Sequence, residues 1–163
     1  MSGNVELRPV AAGDRAFLCR VYASTRTEEL AVVPWDDAQK EAFLRAQFDA
    51  QDRWYRANYT RASYEVILVD GERAGRLYVH RGRDDIRIID ITLVPAFRRR
   101  GIGTGLLRAL IAEAEESGRK LSIHVELNNP ARTVYERLGF RPAGEHGVYT
   151  RMERIPQYVD TTT

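Results

Sequence analysis

The chain has 163 residues, with 25 lysines and arginines against 23 aspartates and glutamates, and a formal net charge of +2. Its 44% hydrophobic content is enough for a packed core, whereas its 29% charged content excludes a membrane protein, and its composition excludes collagen-like repeats and disorder. The length predicts a single globular domain over residues 1–154, followed by a flexible tail over residues 155–163.

Composition also limits the compartment and the partners. The lone cysteine, Cys19, cannot form an intrachain disulfide, and the N-terminal residues lack the apolar stretch of a secretory signal, so we expect a cytoplasmic protein. Acids and bases are dispersed along the chain, and we therefore expect neither nucleic acid nor a membrane as a partner. His80, His124 and His146 lack metal-ligand spacing, so we predict no metal site.

Hydrophobic periodicity predicts elements in the order β, α, α, β, β, β, α, β, α, β, which is a mixed α/β fold. The predicted strands are 5–10, 64–69, 74–80, 86–94, 121–127 and 147–153. The predicted helices begin after Asp14, cover 38–58 and 103–117, and include Pro130 in the first turn of a short last helix.

Short polar residues mark where the predicted elements begin and turn. Asp14 and the pair Asp36 and Asp37 stand where a side chain caps a helix. Asp70-Gly71 forms a hairpin turn between two strands. We expect a ligand site where two strands end ahead of helices, since open α/β sheets bind ligands at the carboxyl ends of their strands.

The segment from Leu93 to Gly105 joins a predicted strand to a helix and contains three glycines. Glycine lets a ligand approach the backbone, and a helix start offers N–H groups, so the segment suits a phosphate or pyrophosphate; it also suits a tight packing turn. Arg98 to Arg100 add positive charge. A dinucleotide fingerprint would need glycine at Leu106, and a P-loop would need a lysine after the glycines, so neither motif fits.

Two segments of the chain carry a family resemblance. Arg98-Arg-Arg-Gly-Ile-Gly103 resembles the acetyl-CoA motif of the GCN5-related N-acetyltransferase (GNAT) family. Asn128-Asn-Pro-Ala131, followed by Tyr135 to Phe140, is similar to the family's N-x-x-A…Y-x-x-x-G-F signature, and Leu7-Arg8-Pro9 with Asp14 is similar to its opening. Both signatures stand in the family's order, at strand-to-helix junctions that the periodicity predicts independently.

The resemblance implies a GNAT-type mixed, mostly antiparallel sheet flanked by helices, with a parallel strand pair that splays at the acetyl-CoA site. It implies that backbone groups pair with pantetheine, that loop amides hold the pyrophosphate, and that Asn128 contacts the cofactor near the thioester, with Asn129 as its rival. The implied cofactor-binding residues are Leu93, Val94, Arg98, Arg99, Arg100, Gly101, Ile102, Gly103, Thr104 and Asn128.

Acetyl transfer to an amine needs a neutral nucleophile and a proton for the departing thiolate. Tyr135 resembles the tyrosine that the family places near the thioester sulfur, which implies a general acid, although its spacing also fits a core aromatic. Where many family members carry a glutamate, this sequence has Arg87. Asp90 on the same strand is our candidate base, Glu126 is its rival, and an arginine-paired structural carboxylate is the other interpretation of Asp90.

The resemblance therefore implies an acetyl-CoA-dependent N-acetyltransferase that acetylates a small-molecule or exposed primary amine by direct attack in a ternary complex. A non-catalytic acyl-CoA-binding or sensor module on the same fold is the alternative, and the terminal strands are compatible with a homodimer. We expect the acceptor in a cleft between the first two helices and the strand bearing Asp90, and we expect mixed charge there, because acids and bases are interspersed in these helices and the segment between them. These residues are Glu28, Glu29, Asp36, Asp37, Arg26, Arg53 and Arg56.

Overall fold

The structure is a computed structural model and describes residues 3–127 and 129–157. Its strands are β1 (Val5–Pro9), β2 (Ser63–Val69), β3 (Glu72–Arg81), β4 (Asp85–Leu93), β5 (Lys120–Glu126), β6 (Arg141–His146) and β7 (Tyr149–Arg154). Its helices are α1 (Arg15–Ser24), α2 (Thr27–Ala31), α3 (Asp37–Asn58), α4 (Ile102–Ser117) and α5 (Arg132–Arg137). Two short 3-10 turns, Ala12–Asp14 and Pro95–Phe97, precede α1 and follow β4.

Within the described residues, seven strands form one sheet in the order β1-β2-β3-β4-β5-β7-β6. The pairs β1–β2, β5–β7 and β7–β6 are antiparallel, and β4 runs parallel to β5. The parallel register extends from Asp85 opposite Lys120 to Ile88 opposite Ile123, whereas β4 continues to Leu93. These features confirm the predicted mixed, mostly antiparallel sheet, and the early end of the parallel ladder fits a splayed pair.

The described part of the chain divides into two compact units, residues 3–77 with 92–98 and residues 78–91 with 99–127 and 129–157. The single domain predicted over residues 1–154 stays a prediction. None of the helices in this part of the chain combines the length and the apolar character that crossing a bilayer requires.

The core of the first unit forms where α1 and α3 pack on β2. Apolar residues of α1 recur three and four positions apart, which places them on one face of the helix. The buried core residues are Phe17, Leu18, Val21 and Tyr22 of α1, Phe48 of α3 and Val66 of β2. Each large apolar side chain buried in this way contributes about 1.5–3 kcal/mol.

The second unit is built on alternating residues of its strands, because successive side chains of a strand point to opposite faces. The buried strand residues include Ile86, Ile88, Leu121, Ile123, Val125 and Met152. Helix α4 buries Leu107, Leu110 and Ala114 at helical spacing, and it ends as predicted at Gly118.

Asp14 does not cap α1, so this part of the sequence prediction is wrong. Its buried carboxylate accepts hydrogen bonds from both terminal nitrogens of Arg8 at 2.7 and 2.8 Å, from the N–H of Ala11 at 2.8 Å, and from Arg73 at 3.3 Å. Charge-assisted hydrogen bonds of this kind are stronger than a neutral cap, which explains the choice of partners. The hydrogen bonds from Arg8 hold the pKa of Asp14 well below its usual range.

The long helix α3 begins as the sequence predicts. Asp36 accepts a hydrogen bond from the N–H of Gln39 at 2.8 Å, and the side chain of Gln39 accepts one from the N–H of Asp36 at 2.9 Å. This reciprocal pair is a capping box, and Asp37 is therefore the first helical residue instead of the cap.

Two short elements and two helix starts differ from the prediction. Helix α2 has only five residues and β6 only six, and all six residues of β6 are exposed. Neither element therefore shows a clear apolar period. The register between β6 and β7 shifts between Pro142 and Gly144. Helix α4 starts at Ile102, one residue early, and α5 starts at Arg132, so Pro130 precedes the helix instead of lying in its first turn.

Replacing Asp14 by asparagine should lower the free energy of unfolding by about 2 kcal/mol at pH 7, because hydrogen bonds from the arginines lose their charged acceptor. The pKa of Asp14 is lowered in the folded state, so its carboxylate stabilises the fold above the unfolded pKa of about 4, and this stabilisation is lost as the pH falls below that value. Urea unfolding at pH 7 and pH 3 measures both effects.

The exposed Glu72 provides the control, because Glu72→Gln should change the free energy of unfolding by less than about 0.5 kcal/mol. Equal stability of wild type and Asp14→Asn at pH 7 would contradict the prediction.

Candidate active site

The glycine loop between β4 and α4 has a backbone suited to an anion. Gly101 has a φ of +78°, a left-handed conformation that favours glycine, and its position would leave a Cβ with no heavy atom within 4 Å. Helix α4 starts at the next residue, and in the described part of the chain no side chain caps it. A helix start with open N–H groups and the positive end of the helix dipole favours phosphate.

Arg98, the first arginine of the loop, makes two specific contacts. Its Nε donates to the carbonyl oxygen of Leu93 at 2.8 Å, and its Nη2 lies 3.2 Å from Oγ of Ser24. The side chain therefore ties the end of β4 to the end of α1. Arg99 and Arg100 are exposed.

The backbone groups at the end of β4 are not equivalent. The N–H of Val94 donates to the carbonyl of Ala74 at 2.9 Å, and its carbonyl accepts from the N–H of Phe97 at 2.9 Å. Both polar groups of Val94 are thus bonded within the chain. Because the N–H and C=O of one strand residue point to the same side, and neighbours alternate, Leu93 directs its groups away from β3.

Gly75 on β3 approaches the end of β4 more closely than any other residue type allows. A Cβ at this position would lie 2.0 Å from the carbonyl oxygen of Thr92 and 2.9 Å from Cα of Leu93. The close approach at Gly75 was not predicted, although a glycine inside a strand is a known signal of close backbone approach.

Tyr135 and Asp90 both lie in the second unit. Tyr135 lies in α5, is only 7% exposed and packs edge-to-face against Phe140, with ring centroids 5.7 Å apart. Burial raises the pKa of Tyr135 to about 12, and the Asp90 carboxylate contributes further to this rise. Asp90 lies in β4, two residues beyond the last parallel pair. The candidate acid and the candidate base are therefore within electrostatic range of each other.

Arg87 occupies the position in β4 at which many members of the resembled family carry a glutamate. Its guanidinium is buried, and Nη1 lies 3.1 Å from Nε2 of His124, a contact that the sequence analysis missed because it joins two strands. Partial burial, followed by the charge of Arg87, lowers the pKa of His124 to about 4. The imidazole is therefore neutral at pH 7. Glu126, the rival base, is half-buried on the same strand as His124.

The asparagine pair of the second signature is partly described. Asn128, predicted to contact the cofactor, lies outside the described residues. Asn129 is exposed, and its Oδ1 accepts a hydrogen bond from the N–H of Ala131 at 2.9 Å. Its side chain therefore shapes the turn that leads into α5.

A groove of about 480 Å³ opens in the first unit. Its lining consists of Arg20, Ala23 and Ser24 of α1, Thr27, Leu30 and Ala31 of α2, and Lys40 and Leu44 of α3. Among these residues the charged side chains are both basic. The mixed-charge cleft predicted between the first two helices and the strand bearing Asp90 is a different place and stays a prediction; near the groove, Glu29 pairs with Arg26, and Asp36 caps α3.

Comparison with known proteins gives matches along most of the chain. The model of the family described as "Acetyltransferase (GNAT) family" matches residues 25–140. The chain is 34% identical over 85 residues to a candidate ribosomal protein bS18-alanine N-acetyltransferase of Bacillus subtilis, covering 51% of this chain and 56% of that protein. It is 32% identical over 129 residues to the mycothiol acetyltransferase of Corynebacterium efficiens, covering 72% of this chain and 43% of that protein. The chain thus spans about half the length of these curated relatives.

Solved structures share the fold. The PaiA N-acetyltransferase of Thermoplasma acidophilum, in complex with coenzyme A, has a TM-score of 0.69 at 16% identity, over 93% of this chain and 99% of that chain. The ribosomal-protein-S18-alanine N-acetyltransferase of Escherichia coli has a TM-score of 0.59 at 19% identity, over 98% of this chain and 99% of that chain. At these identities the likeness concerns the fold.

Replacing Gly75 by alanine should displace the end of β4, because the new Cβ would overlap the backbone of Thr92 and Leu93. We expect the free energy of unfolding to fall by about 1–3 kcal/mol, the usual cost of overpacking. Chemical unfolding measures this loss. Gly13→Ala is the matched control, because a Cβ at Gly13 would meet nothing within 4 Å. Equal stability of the two variants would show that β4 moves freely and would contradict the prediction.

Proposed function

Because this chain belongs to the acetyltransferase (GNAT) family, we propose that it is an acetyl-CoA-dependent N-acetyltransferase. It transfers the acetyl group to a primary amine by direct attack within a ternary complex. The observation that carries the proposal is the family match over residues 25–140 together with the uncapped start of α4 behind the left-handed Gly101.

The residues of the glycine loop fit the anionic part of acetyl-CoA, which supplies the acetyl group as a thioester. Gly101 and the uncapped start of α4 support this fit, and the amides of residues 99–104 would hold the pyrophosphate. Of the two residues expected to pair with pantetheine, Leu93 is the better candidate, because both polar groups of Val94 are bonded to other backbone groups, whereas the carbonyl of Leu93 accepts from the side chain of Arg98. Arg98 acts as a positioning residue that holds the carbonyl of Leu93.

Tyr135 supplies the proton for the leaving group. With a pKa of about 12, its phenol stays protonated through the neutral and moderately alkaline range. As the amine nitrogen bonds to the acetyl carbon, the C–S bond breaks, its electron pair goes to sulfur, and the phenol donates its proton there. Packing against Phe140 restricts the position of the Tyr135 ring.

Asp90 is the proposed base that removes a proton from the substrate ammonium, directly or through a water molecule, so that the neutral amine can attack the acetyl carbon. Its effect on the pKa of Tyr135 supports this choice, because it indicates that the carboxylate is near the proposed acid. Glu126 on β5 remains the rival. Arg87, fixed by His124, cannot remove a proton, since a guanidinium stays charged at any relevant pH.

The proposal includes a single domain over residues 1–154 and a cytoplasmic location, as expected from the length and from the single cysteine. The names of the curated relatives specify a ribosomal-protein alanine and mycothiol. Because these acceptors differ, family membership does not define the acceptor of this chain.

Tyr135→Phe should lower kcat about 100-fold, the usual effect of losing a general acid, and should leave CoA affinity within about twofold. Release of free CoA thiol measures turnover, and calorimetry measures binding. Because the pKa of Tyr135 is about 12, the wild-type kcat should not fall on the alkaline side below pH 10.

The matched control is Tyr149→Phe, since Tyr149 lies on β7 and is 36% exposed. Unchanged turnover of Tyr135→Phe would return Tyr135 to a packing role. If the wild type bound CoA but acetylated no amine, the sensor module would be the better interpretation.

Asp90→Asn should flatten the rise of kcat/KM with pH, because the ammonium would lose the group that removes its proton. The pH profile of wild type, Asp90→Asn and Glu126→Gln with one good amine distinguishes the two carboxylates. Superimposable profiles of wild type and Asp90→Asn, with a changed profile for Glu126→Gln, would assign the base to Glu126.

A further inference from the structure

We propose that the groove between α1, α2 and α3 binds a free amino acid with an apolar side chain, and that this amino acid is the amine acceptor. Arg20 and Lys40 bind its carboxylate, and the apolar wall contacts its side chain. The inference rests on the proposed N-acetyltransferase function and adds the chemical class of the acceptor.

The positive charge of the groove is available to a ligand. In the part of the chain that the structure describes, no ion pair joins Arg20 or Lys40 to a carboxylate. Neighbouring arginines of the same helices are neutralised: Arg26 by Glu29, Arg45 by Glu41, and Arg15 by Asp49. A carboxylate in the groove would therefore meet two cations that no carboxylate of the described residues neutralises, although the Arg20 guanidinium lies 5.8 Å from the centroid of the Phe17 ring, and a polycationic amine would be repelled.

The rest of the lining is apolar or carries a single hydroxyl. Ala23, Leu30, Ala31 and Leu44 provide the apolar wall. The volume of about 480 Å³ lies in the range of small-molecule sites, roughly 300–1,000 Å³, and is large enough for one amino acid with a leucine-like or phenylalanine-like side chain. An apolar body with one anionic group matches this combination of wall and charge.

The groove is connected to the end of β4 by one side chain. Ser24 lines the groove, and its Oγ lies 3.2 Å from Nη2 of Arg98. Nε of Arg98 donates to the carbonyl of Leu93, the residue proposed to pair with pantetheine. Within the first unit, a single guanidinium thus bridges the groove wall and Leu93.

The distinguishing feature of a free amino acid is its carboxylate, which an N-terminal residue of a protein lacks. L-Phenylalanine and L-phenylalaninamide form a matched pair, because they differ only in this group. We expect the wild type to acetylate phenylalanine with a kcat/KM at least about tenfold higher than that of the amide.

Arg20→Gln and Lys40→Gln should each reduce kcat/KM for phenylalanine about tenfold, while the value for the amide changes less than twofold. Arg61→Gln, at an exposed position between α3 and β2 and outside the groove lining, is the matched control and should change neither value. Equal losses for phenylalanine and its amide, or no loss in either groove variant, would overturn the inference.

A binding experiment without acetyl-CoA separates this inference from the proposed function. 3-Phenylpropanoate has the ring and the carboxylate but no amine, so it cannot be acetylated. Titrated into the labelled wild type, it should shift the NMR amide signals of Ala23, Leu30 and Leu44, and the shifts should disappear in the double variant Arg20→Gln/Lys40→Gln.

The outcomes assign a failure to one proposal or the other. If the wild type acetylates amines without preferring the carboxylate, and 3-phenylpropanoate leaves the groove signals unchanged, the acceptor inference is wrong and the acetyltransferase function stands. If 3-phenylpropanoate binds in the groove but no amine is acetylated, the acetyltransferase function fails, and with it the assignment of the bound carboxylate as an acceptor.

Discussion

The close approach of two backbones at Gly75 determines the geometry of the proposed donor site. With only a hydrogen at Cα, β3 can lie against the carbonyl of Thr92, and one residue later the N–H of Val94 bonds to Ala74. These contacts fix the side of β4 on which Leu93 directs its polar groups. A strand end defined by backbone contacts is less tolerant of substitution than one held by side chains, because the backbone cannot repack around an added atom.

Tyr135 and Asp90 show how two groups with opposite tasks support each other. A base must be ionised and an acid protonated at the same pH, and their pKa values must therefore be far apart. An ionised Asp90 disfavours the phenolate of Tyr135, so the charge that makes one group a base also keeps the other protonated. Burial of the phenol acts in the same direction. The phenol therefore stays protonated through the neutral and moderately alkaline range.

How well the sequence predicted a feature depends on how far apart in the chain the interacting residues are. The capping box at Asp36 and the glycine loop involve residues close in sequence, and local patterns predicted both. Helix α2 and strand β6 were missed because five or six residues, in β6 all exposed, display no apolar period. The role of Asp14 was mispredicted because its strongest partner, Arg8, is on another element, and the groove charge depends on which acids pair elsewhere.

Strand β6 affects how a second molecule can pair with this edge of the sheet. It is an edge strand whose residues are all exposed, and a row of open backbone groups at such an edge normally invites pairing with another chain. The register shift between Pro142 and Gly144 bends this row, and proline contributes no N–H to it. A strand from a second molecule would therefore meet an irregular row of backbone groups at β6, and a homodimer that extends the sheet would have to form at the regular strand β1, at the other edge.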